Sequence, residues 1–289
     1  MADTLVIIVT WNGMRWLPRC MESVLASTDA ADIFIVDNGS TDGTVKWIWD
    51  NTSESVKLHV SAGNDGFGAA NNVAMRYAID KGYSYVYLLN QDAYLGPDTI
   101  SRLKKAFESP EGHGFGVLSP VQTDASGMRW DAAFKRHCEK ALTHSSSRIT
   151  EVSFVMAAHW MIRCDALKDV GGFSPAFQQY GEDDNWLHRL IFHGYRCGVV
   201  REASAIHDRA SRQLDKEQKM NLKCISTVVK ISDPTAHLAW RILREPLELL
   251  AMGIIHLSWT PISFIPKLIR SYPRLTRLRK ESKQKGAFL

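Results

Sequence analysis

Short apolar runs alternate with helix-like stretches along the first part of the chain, and this alternation constrains the fold more than any other feature. Four runs rich in β-branched and aromatic residues predict strands at residues 5–9, 33–36, 56–60 and 84–89. Residues 15–26 and 66–78, which lie between these runs, predict helices. Strands that alternate with helices pair in parallel through βαβ units. The sequence therefore predicts an α/β fold with a mostly parallel sheet flanked by helices.

Polar side chains follow three of these strands at the point where each strand ends. They are Thr10 and Asn12, then Asp37 and Asn38, then Asn90, Gln91 and Asp92. The carboxyl ends of parallel strands meet at one edge of a sheet, where open α/β sheets bind ligands. Asp92 is suited to hold a divalent cation against a diphosphate, because hard cations take oxygen ligands and share phosphates. For Asp37 the alternative is a plain turn, since Asp-Asn-Gly is typical turn chemistry.

A glycine-rich segment follows the third predicted strand. Its polar and small residues include Asn64, Gly66, Gly68 and Asn71. The segment resembles part of a dinucleotide fingerprint, but it is incomplete and follows the wrong strand, so it argues only weakly for nicotinamide or flavin. Small residues allow the backbone to approach a ligand and a helix to pack closely. We therefore expect close packing against a ligand here.

A second group of acids, Glu182-Asp183-Asp184, opens a predicted helix that stops before Gly194. Carboxylates at a helix N-terminus are favoured by the helix dipole, so a simple cap is the alternative for this group. His207 follows a predicted strand at residues 197–200. A lone histidine is more often structural, but a carboxylate with an imidazole suits Mn²⁺ or Mg²⁺ on a diphosphate. Together these groups suggest a metal-assisted group transfer.

These segments together resemble a family 2 inverting glycosyltransferase of the GT-A fold, in the rhamnosyltransferase-like bacterial branch that builds cell-surface polysaccharides. They run in the family's order over residues 4–212, and each is modest alone. The matching segments are Val9-Thr10-Trp11-Asn12, residues 36–43, residues 64–72, Leu89-Asn90-Gln91-Asp92-Ala93, Val170-Gly171-Gly172-Phe173, Gly181-Glu182-Asp183-Asp184, Arg189 and His207.

The resemblance implies a role for each matching residue. Asp92 would hold the cation on the donor diphosphate with His207 as a second ligand, and Asp183 would be the general base, with Asp184 second. Donor contacts would come from Thr10, Asn12, Asp37 (on the base), Asn38, Asn64, Gly66, Gly68, Asn71, Asn90 and Gln91, and acceptor-side contacts from Trp160, Glu182 and Arg189. Two positions depart from the family pattern, since Asn90 replaces the first acid of a DxD element and Asn185 replaces a further acid after Asp183.

The implied reaction is a metal-dependent inverting transfer of a sugar from a nucleotide-diphosphate donor to a growing, lipid-linked glycan. Rhamnose from dTDP-rhamnose is the first expectation for the donor. Such a displacement has an oxocarbenium-like transition state and needs a base on the acceptor side and charge neutralisation on the leaving group. Two alternatives stay open. One is a sugar nucleotidyltransferase, although a basic glycine-rich loop after the first strand is missing; the other is a non-catalytic sugar-nucleotide-binding scaffold, which Asn90 alone favours.

The charge distribution separates the chain into two parts. A net charge of +4 is too small to argue for nucleic acid, and the excess lies in residues 267–285. We expect a catalytic domain at residues 1–232, with a nucleotide-binding half at about 1–120 and an acceptor half at about 121–232. Residues 233–289 would form a helical, basic C-terminal region.

The C-terminal region has three alternatives. Residues 247–265 are apolar apart from Glu248 and His256, but Pro261 interrupts them. They predict a helical pair packed on the catalytic domain, an interfacial helix beside a basic segment at anionic headgroups, or a membrane span. A homodimer formed through this region is a further expectation. The five cysteines are scattered without a CxxC motif, and the N-terminus shows no signal-peptide pattern. Both features predict a cytosolic enzyme. Under the interfacial alternative, the enzyme would be peripheral at the inner face of the membrane.

Overall fold

The structure, a computed structural model, describes residues 2–209 and 214–289. The strands in these ranges are β1 Thr4–Thr10, β2 Asp32–Asp37, β3 Val56–Val60, β4 Tyr85–Asn90, β5 Ala93–Leu95, β6 Phe115–Thr123, β7 Ile149–Glu151, β8 His159–Arg163 and β9 Arg196–His207. The helices are α1 Leu17–Leu25, α2 Thr44–Asn51, α3 Phe67–Lys81, α4 Thr99–Glu108, α5 Ala132–His144, α6 Cys164–Val170, α7 Glu182–Phe192, α8 Lys216–Ser232, α9 Leu238–Ile255 and α10 Trp259–Glu281.

All these strands join one sheet, in the order β3-β2-β1-β4-β8-β6-β9-β5, with β7 paired to β9. The first four strands are parallel, as predicted. Strand β8 runs antiparallel between β4 and β6, and β6 pairs in parallel with β9. In the parallel half, Thr10 is in register with Asp37, and Val9 with Asn90. The ends of β1, β2 and β4 therefore meet at one edge.

Both faces of the sheet are buried around β1 and β4, which explains why these two strands are almost continuously apolar. Leu5 and Ile7 of β1 point into the core under α3, α6 and α7, whereas Val6 and Ile8 point into the core under α1 and α4. Successive side chains of a strand point to opposite faces, so this one run supplies both cores. The α/β prediction is confirmed.

Two residues predicted to contact the acceptor, Trp160 and Arg189, lie in the core instead. In this structure both side chains have structural roles. Both side chains have no exposed surface. The indole N–H of Trp160 donates to the Val155 carbonyl, and its ring packs near Phe173 and Trp186. Buried polar groups of this kind are kept because each finds a partner.

Arg189 joins α7 to the turn after α6 and to the end of the chain. Its Nη1 donates to the Gly172 carbonyl at 2.5 Å, and its Nη2 donates to the carbonyls of Val170 and Ala287. The turn needs glycine at 171, where φ is +81° and a Cβ would lie 1.9 Å from the Ala287 oxygen. The guanidinium thus fixes the segment that precedes the acidic start of α7.

The last three helices form a small core of their own. Helix α8 packs with α9 and α10 through Cys224, Ile231, Leu249, Leu268 and Leu275. The predicted boundary at 232/233 stays a prediction. The predicted apolar run at 247–265 is divided by a turn between α9 and α10, so it is two helices rather than one. Among the residues described, no helix is long and apolar enough to cross a membrane.

Candidate active site

A cavity of about 530 Å³ lies at the edge where the parallel strands end. Its walls come from the segments after β1, β2, β3 and β4, and from the segment before α7. The lining residues are Val9, Trp11, Trp16, Asn38, Asn64, Gly66, Phe67, Asn90, Gln91, Asp92, Gln178 and Gln179. Six of the residues predicted to bind the donor or its cation are in this set.

The amides of Asn38 and Asn64 shape one wall of this cavity. Asn38 Nδ2 donates to Asn64 Oδ1 at 3.1 Å, and the same oxygen accepts from the Gly66 N–H at 3.0 Å. Asn38 Oδ1 accepts from the Asp65 N–H at 3.0 Å. Gly66 has a φ of +90°, and a Cβ there would lie 2.1 Å from the Gln178 carbonyl oxygen. The segment before α7 therefore approaches the glycine-rich segment closely.

Thr10 and Asn12 support the cavity from behind and do not line it. The Thr10 hydroxyl donates to Gln91 Oε1 at 2.7 Å, and the Trp11 N–H donates to the same oxygen at 2.9 Å. Asn12 Oδ1 accepts from the Thr41 N–H at 2.8 Å. These bonds connect the loops after β1, β2 and β4, so the side chains hold the cavity edge together.

Three other predicted donor contacts are buried beneath the cavity. Asp37 Oδ2 accepts from the N–H groups of Gly39 and Ser40, while its Oδ1 has no hydrogen-bond partner among the described residues. A Cβ at Gly68 would lie 2.8 Å from the Phe173 side chain, so this glycine serves helix packing. Asn71 donates to a carbonyl one turn earlier in α3 and is 1% exposed. In this structure Gly68 and Asn71 form no part of the cavity wall.

Asp92 and His207 form the candidate cation site. His207 Nε2 lies 3.9 Å from Asp92 Oδ1 and accepts from Arg209 Nε at 3.0 Å. Burial, with the charge of Arg209 next, lowers the pKa of His207 well below its ordinary value, so its imidazole is neutral as a metal ligand must be. In the described ranges, no group of three or more His, Cys, Asp or Glu side chains is placed to hold a metal. Asp92, together with His207 once its Nε2 is released from Arg209, would supply two protein ligands to a cation that a diphosphate and water also bind.

Glu182, Asp183 and Asp184 lie in the first turn of α7, where burial is the largest influence on their pKa values. Burial raises the pKa of both Glu182 and Asp183, and for Asp183 the N–H groups of Asp184 and Ala157 and the charge of Arg209 partly oppose that increase. The pKa of Asp184 rises to about 7, from burial first and then from the charge of Asp183. A carboxylate with a raised pKa is a better proton acceptor, as general base catalysis requires.

The titration of Asp184 predicts how stability changes with pH. The folded state keeps this proton up to about pH 7, while the unfolded chain releases it near the ordinary value of 3.8. The group therefore contributes stability at low pH, and this contribution is lost as pH rises through about 7. We expect Asp184→Asn to reduce the fall in unfolding free energy between about pH 4 and pH 7, measured by urea unfolding. An unchanged pH profile in the variant would contradict this assignment.

A second cavity, of about 600 Å³, adjoins the first on the side of His207. His207 lines it together with Arg209, and residues 179 and 180 lie in neighbouring walls of the two cavities. Three arginines, two aspartates and two aromatic side chains give it a charged lining with a small positive excess and a partly apolar surface. The lining residues are Asp124, Arg129, Trp130, Asp131, Ala132, Ala133, Arg136, Tyr180, His207, Arg209, Leu214 and Leu222.

Sequence reasoning missed several residues that line these cavities. Trp11 directly follows β1 and is 51% exposed, so the strand-end rule that selected its neighbours should also have selected it. Arg209 lies two residues after His207 and influences both His207 and Asp183. Gln178, Gln179 and the residues of the second cavity other than His207 and Arg209 carry no local signal, because only tertiary packing brings them to the site.

Comparison with solved structures shows the class to which this fold belongs. A mannosyltransferase from Pyrobaculum calidifontis in complex with GDP-Man and Mn²⁺ aligns with a TM-score of 0.60 at 17% identity over 97% of this chain and 87% of that one. Residues 1–349 of S. aureus TarS in complex with UDP align with a TM-score of 0.59 at 15% identity, again over 97% of this chain and 87% of that one. The fold is that of a GT-A glycosyltransferase.

Sequence comparison gives the family. The model described as glycosyl transferase family 2 matches residues 5–171, and the chain belongs to that family. It is 26% identical to an N-acetylglucosaminyl-diphospho-decaprenol L-rhamnosyltransferase from Mycobacterium tuberculosis over 97% of both proteins. It is also 28% identical to an undecaprenyl-phosphate mannosyltransferase from Micrococcus luteus, over 37% of this chain and 45% of that protein. The chain is therefore an enzyme that transfers a sugar, as predicted.

Proposed function

We propose that this glycosyltransferase moves a sugar, with inversion and with the help of a divalent cation, from a nucleoside-diphosphate donor to a lipid-linked glycan. The observation that carries the proposal is the meeting of two cavities at Asp92 and His207, with Asp183 close enough to Arg209 for its pKa to respond. A donor and an acceptor can then approach each other from two sides. Solvent would be displaced where the sugar is transferred.

The donor side follows from the first cavity. The half-exposed ring of Trp11 offers a face for the base, and the amides of Asn38 and Asn64 offer polar contacts nearby. Asp37 would orient the loop that carries Asn38, and it reaches the base only if that loop opens. Asp92 and His207 would hold the cation, which neutralises charge on the leaving diphosphate when bound.

The acceptor side follows from the second cavity. Arg136 is exposed, Arg129 pairs with Asp124 at 3.3 Å, and Arg209 borders the cation site, so the cavity is suited to an acceptor that carries phosphate. Asp183 would take the proton of the acceptor hydroxyl. Glu182 is only 8% exposed and would act by shaping the start of α7.

The donor sugar is proposed from the relatives. The M. tuberculosis relative that aligns over 97% of both chains is a rhamnosyltransferase acting on a decaprenol diphosphate, which supports dTDP-rhamnose and a polyprenyl-diphosphate acceptor here. We place the enzyme in the cytosol, because its five cysteines are buried free thiols, as expected in a reducing compartment.

The test is a transfer assay with nucleotide sugars, Mn²⁺ and a short-chain polyprenyl-diphosphate sugar. We expect nucleoside diphosphate and an extended acceptor as products with dTDP-rhamnose, and loss of turnover with a chelator. In a parallel reaction with a nucleoside triphosphate and a sugar 1-phosphate, release of pyrophosphate without any transfer from nucleotide sugars would favour the nucleotidyltransferase alternative. Donor binding without any turnover, with or without Mn²⁺, would favour a scaffold.

Substitution of Asp92 tests the cation site by binding rather than by activity. In the wild type, Mn²⁺ should increase the thermal shift caused by the donor, since a ligand that binds only the native state stabilises it by RT ln(1 + [L]/Kd). Asp92→Asn should remove most of this Mn²⁺-dependent increase, because the amide carries no charge for the cation. Asp80→Asn, an exposed carboxylate of α3, is the matched control and should behave as wild type. An Mn²⁺ effect that survives in Asp92→Asn would remove Asp92 as the ligand.

A further inference from the structure

Helix α9 exposes a row of large apolar side chains along one face. Its members recur at intervals of three and four residues, so they line up on one side of the helix. They are Trp240 (57% exposed), Leu243 (68%), Leu247 (66%), Leu250 (42%) and Ile254 (63%). Large contiguous apolar patches on a protein surface mark interaction sites. We call this row the α9 stripe.

The α9 stripe continues into the turn that joins α9 to α10. Ile255, Leu257 and Trp259 are 74%, 89% and 74% exposed. The turn is fixed by a hydrogen bond from the Ser258 N–H to the Gly253 carbonyl at 2.9 Å. Leu257 is the most exposed of these side chains although it lies in a well-defined turn. These three residues form an apolar tip at the end of the stripe.

Helix α10 carries positive charge along the face that starts at the apolar tip, beginning about two turns after Trp259. Arg270, Arg274 and Arg277 are exposed and lie on the same face of α10 as Trp259, with Lys267 beside them. Arg274 also donates to the Pro175 carbonyl at 2.5 Å. Helix α10 has no Asp or Glu before its last residue, Glu281. An apolar tip beside a purely cationic helix face is complementary to a surface with anionic headgroups and a hydrocarbon interior.

We propose that the α9 stripe and the apolar tip, flanked by the basic face of α10, dock on an anionic phospholipid surface. A second copy of the chain fits less well. A two-fold interface brings the same patch of both copies together, so it would place the α10 arginines of the two copies close to one another. The acidic residues of α9 give no compensation, since Glu245 and Glu248 already pair with Lys230 at 3.1 and 2.7 Å.

Docking in this way would bring the second cavity, the proposed acceptor site, close to the lipid headgroups. This part of the inference rests on the function proposed above. Lys223 Nζ lies 3.3 Å from His256 Nε2, so the first half of α8 is next to the apolar tip. Another face of α8 lines a groove of about 450 Å³ that shares Tyr180, Leu214 and Leu222 with the second cavity. A lipid-linked acceptor could thus reach the second cavity along α8 while its lipid stays in the bilayer.

Flotation of the full chain with liposomes tests the proposal. We expect wild type to float with vesicles of phosphatidylglycerol and phosphatidylcholine, and much less with phosphatidylcholine alone. Leu247→Glu/Ile254→Glu/Trp259→Glu should reduce the bound fraction by roughly tenfold or more, and Arg270→Glu/Arg277→Glu should reduce it mainly at low salt. Leu25→Glu, at an equally exposed leucine (71%) at the end of α1, is the matched control and should float as wild type.

The outcomes separate the rival occupants and the two proposals. Wild type that does not float, or a triple variant that floats equally while its thermal unfolding is unchanged, would overturn the membrane proposal. Light scattering tests the second-copy alternative. If wild type has the mass of two chains, the triple variant has the mass of one, and neither floats, the patch binds a second copy and the membrane proposal is wrong. Transfer to the short-chain, water-soluble acceptor should be equal in wild type and triple variant. Absence of that activity in wild type would count against the proposed function and leave the flotation result standing.

Discussion

Replacement of Asp183 by Asn is expected to abolish sugar transfer while donor binding is retained. The amide has nearly the same shape but cannot accept the proton of the acceptor hydroxyl, and general base catalysis typically contributes ~10²–10⁴-fold. The carboxylate is held for this task, since Asp183 Oδ1 accepts from the Asp184 N–H at 2.9 Å. The rate of nucleoside diphosphate release should fall by about that factor, and the thermal shift by donor and Mn²⁺ should remain.

Asp184→Asn and Glu182→Gln are the controls for this prediction. Both neighbours share the acidic turn, but neither is expected to accept the proton, so each variant should lose much less activity than Asp183→Asn. If Asp184→Asn loses more than Asp183→Asn, the base is Asp184, the second candidate from the sequence. Full activity in Asp183→Asn would remove Asp183 from the mechanism.

The parallel half of the sheet could be predicted from the sequence, and the antiparallel half could not. Strands β1 to β4 are apolar runs separated by helices, and short crossovers leave few ways to pair them. Strand β5 has only three residues, and β8 lies between β4 and β6 although the chain reaches it after both. No local pattern encodes that order. It is set by contacts between residues far apart in the chain, such as the pairing of residues 85–89 with residues 159–163.

The same division holds for the site. Asn90, Gln91 and Asp92 line the first cavity because strand ends converge wherever strands are parallel. Trp160 and Arg189 were assigned to the acceptor side from the family resemblance alone. The structure buries both, and only the turn at Gly171–Gly172 and the segment at Ala287 explain why an arginine is stable there. Such partners are distant in sequence, so residue type alone could not show them.

Arg189 is also where we expect the largest loss of stability. Arg189→Met keeps much of the side-chain volume but leaves the carbonyls of Val170 and Gly172 without their guanidinium donor in the core, while the Ala287 carbonyl still accepts from the Gly172 N–H. An unsatisfied buried polar group costs about 1–3 kcal/mol. Part of this loss is offset because the variant no longer buries a charge, a cost seen in the pKa of Arg189, which burial lowers to about 9. We expect a net loss of about 3 kcal/mol in the unfolding free energy.

Differential scanning calorimetry or urea unfolding would measure this loss, as a decrease in Tm of roughly 6–12 °C for a domain of this size. Arg163→Met is the matched control, because Arg163 lies at the surface and pairs with Asp165 at 2.8 Å, an interaction worth about 0–1 kcal/mol. Arg189→Lys should recover little, since one ammonium group cannot reach three carbonyls in the geometry of the guanidinium fork. Unchanged stability in Arg189→Met, with transfer activity lost, would restore Arg189 to the acceptor side of the reaction. A loss of stability in Arg189→Met that is as small as the loss in Arg163→Met would show that the carbonyls find other donors.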